Sequence, residues 1–123
     1  METALLYIGR VLFGGYFIFG GINLFTKLDM MSGYAKSKGT PSPKLSVAFS
    51  GLLLLIGGVS VLLNMFPVLG FVSLILFLVP VTLIMHAPWK VEDPQAKMGE
   101  TINFMKNFAL VGAVLILLAY TLA

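Results

Sequence analysis

Few side chains in this 123-residue sequence are equipped for chemistry, and most of those that are lie at the edges of long apolar runs. His86, the single histidine, carries the one type of side chain whose charge ordinarily changes near neutral pH, which suits proton uptake. Thr82 precedes it by four residues, one helical turn away. Asn23 and Lys27 have the same spacing, and Asn103, Lys106 and Asn107 are spaced to share one helical face. Carboxamides, ammonium groups and an imidazole make a cationic, hydrogen-bonding set that suits the polar head of a ligand. No catalytic residue is assigned within it. The chain has no cysteine, which excludes thiol chemistry and iron–sulfur ligation within it. One histidine cannot supply both axial ligands of a bis-histidine haem. No covalently bound cofactor and no metal site are expected.

The elements that must position these groups are membrane helices. Hydrophobic residues make up 59% of the sequence and charged residues 11%, where a soluble domain carries about 25% charged. Mean hydropathy is +1.00. Four runs, Ala4–Phe25, Leu45–Leu63, Val68–Met85 and Ile102–Leu122, approach the roughly 20 residues that cross a hydrocarbon core. Lipid offers backbone groups no partner, so each run reads as a helix. The fold class expected is all-α, a membrane-embedded antiparallel four-helix bundle forming one domain over residues 1–123. Only Asn64-Met65-Phe66-Pro67 separates the second and third runs, which forces a tight antiparallel hairpin. Pro80 leaves the Leu76 carbonyl without its usual donor, so a kink is predicted there. Residues 29–36 suit a short interfacial helix. The start of the fourth helix is ambiguous: Asp93-Pro94 can begin it, with Gly99 as a weak point, and Thr101 can cap it later. Met1-Glu2-Thr3 lacks the basic region of a signal peptide, so the first run is expected to remain in the mature chain.

An even number of spans puts residues 26–44 and 87–100 on one side of the membrane and both termini on the other. Seven lysines belong to the first side and only Arg10 to the second. The positive-inside rule then places the two connections in the cytoplasm and the termini outside, in a multi-pass protein of the plasma membrane. Orientation and anionic lipid account for the net charge of +3, so no nucleic-acid partner is implied. All four helices bring polar groups to the lysine-rich leaflet: Asn23 and Lys27, Ser46 and Ser50, Thr82 and His86, then Asn103, Lys106 and Asn107. Simpler readings stand beside a ligand pocket. Lys27 and Lys106 can snorkel, Asn103 can serve a cap, His86 can donate to a carbonyl, and Trp89 can anchor at the interface. Arg10 lies alone near the opposite leaflet, where snorkelling competes with an anion site and Glu2, Tyr120 and Thr121 are the available acceptors. The doublets Gly14-Gly15, Gly20-Gly21 and Gly57-Gly58 suit close helix packing, or room for a flat ligand between helices.

Several of these stretches resemble the DoxX family. They are Gly9-Arg10 with Phe17 and Gly20-Gly21-Ile22-Asn23, then Gly39-Thr40-Pro41 with Pro43, Gly51 and Gly57-Gly58. At the end come His86-Ala87-Pro88-Trp89 and Asn103 to Gly112, similar to the family's His-x-x-Trp and Phe-x-Lys-Asn-x-Ala-Leu-x-Gly signatures. The resemblance implies a four-helix membrane bundle. It also implies association with quinone-linked oxidoreductases such as thiosulfate:quinone oxidoreductase, with a quinone, membrane lipid and other oxidoreductase subunits as partners. Ligand-binding candidates are Asn23, Lys27, His86, Trp89, Asn103, Lys106 and Asn107. Family members commonly carry a glutamate in the second helix where this sequence has Leu54, a departure that favours an accessory role. A non-catalytic lipid-binding or complex-assembly protein is the alternative. A transporter is disfavoured by the lack of internal repeats and of carboxylates within the four runs.

Overall fold

The structure, a computed structural model, describes residues 1–123. Its elements in chain order are α1 (Glu2–Thr26), α2 (Leu28–Ser37), α3 (Pro43–Leu63), α4 (Pro67–Met85), a single 3-10 turn (Pro88–Lys90) and α5 (Pro94–Leu122). The fold is all-α, and four of the helices are long and apolar enough to cross a membrane. The chain is a membrane-embedded antiparallel four-helix bundle, with α2 as a short additional helix between the first two spans.

Packing follows the order α1 on α3, α3 on α4 and α4 on α5, with α2 laid against α3. The first and last spans do not pack closely on each other, which leaves a seam between α1 and α5. Phe17, Leu54, Phe71, Leu74, Leu78, Val111 and Val114 form the core, so all four spans contribute to it. Large apolar side chains such as Leu5, Leu12, Phe19 and Leu115 are exposed on the outside, where they meet lipid tails.

Small residues set the closest approach. A Cβ on Gly14 would lie 2.8 Å from the Gly58 carbonyl oxygen, and a Cβ on Gly58 would lie 2.8 Å from the Gly14 carbonyl oxygen. The α1 and α3 backbones therefore touch directly, and the packing reading of these doublets is the one the structure adopts at Gly14 and Gly58. Gly15, its neighbour, faces open space.

Helix ends are built by local chemistry. Gly39 at φ 81 closes α2, with the Thr40 N–H donating to the Ala35 carbonyl and the Gly39 N–H to the Lys36 carbonyl. This is a Schellman arrangement, which needs a residue at ease in the left-handed region. The α3–α4 hairpin turns through Asn64 and Phe66 at φ 53 and 49. Holding a phenylalanine there costs about 1–2 kcal/mol, the strain of so short a connection. Helix α4 runs unbroken through Pro80.

The fourth span starts earlier than the apolar run Ile102–Leu122. Asp93 caps it, its Oδ2 accepting the Ala96 N–H at 2.9 Å, and Pro94 takes the first turn. Thr101 is not the cap; its hydroxyl donates back to the Lys97 carbonyl at 2.8 Å. At 1.5 Å per residue α5 is about 43 Å long, more than the roughly 30 Å hydrocarbon core. Its first turns therefore overhang on the side of the connections, and they carry Glu100.

Candidate functional site: a polar cavity at the open seam

Between α1, α4 and α5 lies a cavity of about 350 Å³. Tyr16 and Asn23 reach it from α1, His86 from the end of α4, and Lys106 and Asn107 from α5. Phe17, Leu54, Phe77 and Leu78 supply apolar wall. Helical spacing explains the α1 side, because Tyr16, Gly20 and Asn23 are separated by four and then three residues and share a face. The α5 side depends on the Asp93 cap, which begins the helix that presents Lys106 and Asn107.

The polar groups around this cavity keep unused hydrogen-bonding capacity. Asn107 is 7% exposed, and no side-chain hydrogen bond within the chain engages its amide or that of Asn23; neither amide is sealed off as a buried, unpartnered group, so both stay reachable from the cavity. Lys106 donates to the Tyr16 hydroxyl at 3.3 Å, and its ammonium lies 5.9 Å from the centre of the Tyr16 ring. That bond crosses the α1–α5 seam. Tyr16 is ten residues from Thr26, about 15 Å along the helix. Both side chains are exposed, so the ammonium is engaged at the outer edge of the seam, one helix face away from the buried Asn107. A protonated lysine has three donors, and here the protein accepts from one of them.

His86 is oriented from behind by Glu100. His86 Nδ1 lies 3.4 Å from Glu100 Oε1, and Lys38 Nζ lies 3.5 Å from Oε2 of the same carboxylate. An ionised carboxylate only accepts, so Nδ1 carries the hydrogen in this pairing and Nε2 remains available. Oε2 is buried and has a charge partner in Lys38, but no aligned hydrogen bond. One carboxylate thereby ties the turn after α2, the end of α4 and the start of α5. We expect Glu100→Ala to cost about 1–2 kcal/mol, because it strands two partly buried partners. Thermal melts of Glu100→Ala, Lys38→Met and the double variant provide the check. Strictly additive losses would show that the ion pair contributes nothing.

The structure sorts the residues singled out from sequence. Asn23, His86, Lys106 and Asn107 meet at the cavity. Lys27 is exposed at the end of α1 and does not line it, nor does Asn103. Trp89 packs edge-on against Phe104 with centroids 5.6 Å apart, fastening the 3-10 turn to α5 outside the cavity. Thr82 is fully buried and its hydroxyl donates to the Leu78 carbonyl. Ser46 and Ser50 face a different chamber between α2, α3 and α4. Arg10 is half-buried and has no ion pair or side-chain hydrogen bond to Glu2, Tyr120 or Thr121. Tyr16, Lys38 and Glu100 were missed. Tyr16 shows a weak signal in its spacing to Gly20 and Asn23; Lys38 and Glu100 show none, since loop and helix meet only in three dimensions. No three His, Asp or Glu side chains come together as a metal site.

A four-span helical bundle with a polar cavity at the seam of its first and last spans defines a small multi-pass membrane protein. The DoxX family model matches residues 5–87, and the chain belongs to the DoxX family. The matched region takes in Tyr16, Asn23, Leu54 and His86 and stops short of the stretch from Asn103 to Gly112. No curated protein matches the chain. No solved structure matches it either.

Proposed function

We propose that the seam cavity binds the head group of a quinone and that the chain serves as a quinone-linked component of a membrane oxidoreductase. The observation that carries this reading is the unused donor capacity of Asn23, Lys106 and Asn107 around one cavity, beside an imidazole backed by a carboxylate. A quinone presents two carbonyl oxygens that accept from such donors, on a flat ring that suits the phenylalanine walls. Reduction to the quinol takes two electrons and two protons. The electrons come from a redox-active partner subunit, since this chain supplies no cysteine for a cluster. His86 takes up a proton at Nε2, Glu100 stabilises the imidazolium, and Nε2 passes the proton to a quinone oxygen; reprotonated from solvent, the same Nε2 delivers the second proton with the second electron. With the lysine-rich connections in the cytoplasm of a plasma-membrane protein, that proton enters from the cytoplasmic side.

The test is titration of the purified protein with a benzoquinone bearing one isoprene unit. Wild type is expected to saturate at one site, and His86→Ala and Asn107→Ala are each expected to weaken binding about tenfold. Unchanged binding in both variants would remove the cavity from consideration. A second reading, a non-catalytic assembly or lipid-binding subunit, is favoured by Leu54, which lines the cavity from α3 with an apolar wall and offers no membrane-embedded carboxylate. A stoichiometric partner recovered in mild detergent, with no quinone bound, would support it instead.

A further inference from the structure

A second cavity, of about 300 Å³, lies under α2 between α3 and α4. It shares Leu24, Met31, Phe77 and Val81 with the seam cavity, so these four side chains form the partition between the two. All four are half-buried and apolar. The methionine among them has three rotatable bonds and adapts readily to a neighbour.

The two chambers differ in chemistry. Around the seam cavity, amides and an ammonium retain free donors. The second chamber has no amide and no ammonium, and two of its four hydroxyls are engaged: that of Ser46 donates to the Pro41 carbonyl at 2.6 Å and that of Thr40 lies against the Met85 sulfur at 3.7 Å, while those of Tyr34 and Ser50 make no such contact. What remains is apolar wall, including Val47, Leu53 and Ile84. Phe49, Leu76 and Pro80 also line this chamber and are exposed on the outer surface of the bundle, which opens it towards lipid. Each cavity alone is at the small end of the roughly 300–1,000 Å³ usual for ligand sites, and joined they fall well inside that range.

We infer that the second chamber holds the apolar tail of the ligand whose head occupies the seam cavity, the tail passing the Met31–Phe77 partition and leaving towards lipid between α3 and α4. This rests on the head-site reading above. The ligand class is a polar ring with a long hydrocarbon tail, and the tail chemistry fits an isoprenoid or an acyl chain equally. Detergent also solvates a free tail, so the gain comes from close packing and is modest.

The experiment compares a benzoquinone carrying one isoprene unit with one carrying eight, on the full-length protein in detergent. Wild type is expected to hold the long-tailed quinone about five- to tenfold more tightly. Ser50→Phe fills the chamber from α3, and is expected to abolish that advantage while leaving the short-tailed quinone unaffected. Ile84→Phe makes the same test from α4 should the first variant fail to fold. Equal binding of the two quinones by wild type, unaltered by either variant, would overturn the tail chamber and leave the head site standing. Failure of both quinones to bind wild type would overturn the head site and the chamber with it. Excess dioleoyl phosphatidylglycerol that displaces only the long-tailed quinone assigns the chamber to acyl chains as well; failure to displace it assigns the chamber to the isoprenoid.

Discussion

Gly58→Leu is expected to destabilise the bundle by about 3 kcal/mol, with a melting temperature well below that of the wild type. The reason is that most of what lies against Gly58 is backbone. A Cβ there would lie 2.7 Å from Ile18 Cγ1, 2.8 Å from the Gly14 carbonyl oxygen and 2.8 Å from the Ile18 amide nitrogen. Two of those three atoms are backbone, so the helices themselves must separate. Their separation would expose the packed face on which α1 depends, since α1 finds its main partner in α3. In a membrane, no hydrophobic force between helices offsets that loss; close packing itself holds them together. Gly15→Leu is the matched control, because Gly15 faces open space. It should change stability by no more than about 0.5 kcal/mol. Thermal unfolding of both variants in the same detergent measures the difference. A Gly58→Leu protein that melts with the wild type would show that α1 and α3 do not meet at these glycines.

Lys106→Met should weaken binding of the one-isoprene quinone by about 10- to 30-fold while leaving the fold intact. Methionine has a similar length and no charge, so the change removes donors and little volume. The ammonium meets only the Tyr16 hydroxyl and ring, and no carboxylate pairs with it. The ammonium is exposed at the outer edge of the cavity and lacks a strong acceptor. A carbonyl oxygen of the bound head group would supply that acceptor, and its loss would fall on the ligand. Tyr16→Phe removes one hydroxyl and no charge, so its effect should be smaller. Unchanged binding by Lys106→Met, together with unchanged stability, would return Lys106 to the role of a lysine reaching for the interface.

The four spans were legible in the sequence because length and apolarity suffice for them. A run of about 20 apolar residues in lipid has one way to satisfy its backbone, and the four-residue link from Asn64 to Pro67 leaves only a hairpin. Gathering of polar groups at one end of the bundle was legible too, because helical rise converts position in the chain into depth in the membrane. Rotation was not. Periodicity tells which residues share a face of α1, but the face that meets α3 is chosen by the Gly14–Gly58 contact, and that choice turns Tyr16 towards the seam. The same limit hid the division of the polar cluster, with Asn23 and His86 at one cavity and Ser46 and Ser50 at another. Glu100 was hidden for a different reason. Apolarity alone starts the last helix at Ile102, whereas the Asp93 cap and Pro94 start it earlier and extend it beyond the hydrocarbon. Only then does Glu100 lie beside His86 and Lys38. Sequence thus determined the spans and the depth of each polar group; the tertiary structure decided which groups face one another, because the azimuth of each helix is set by packing between residues far apart in the chain.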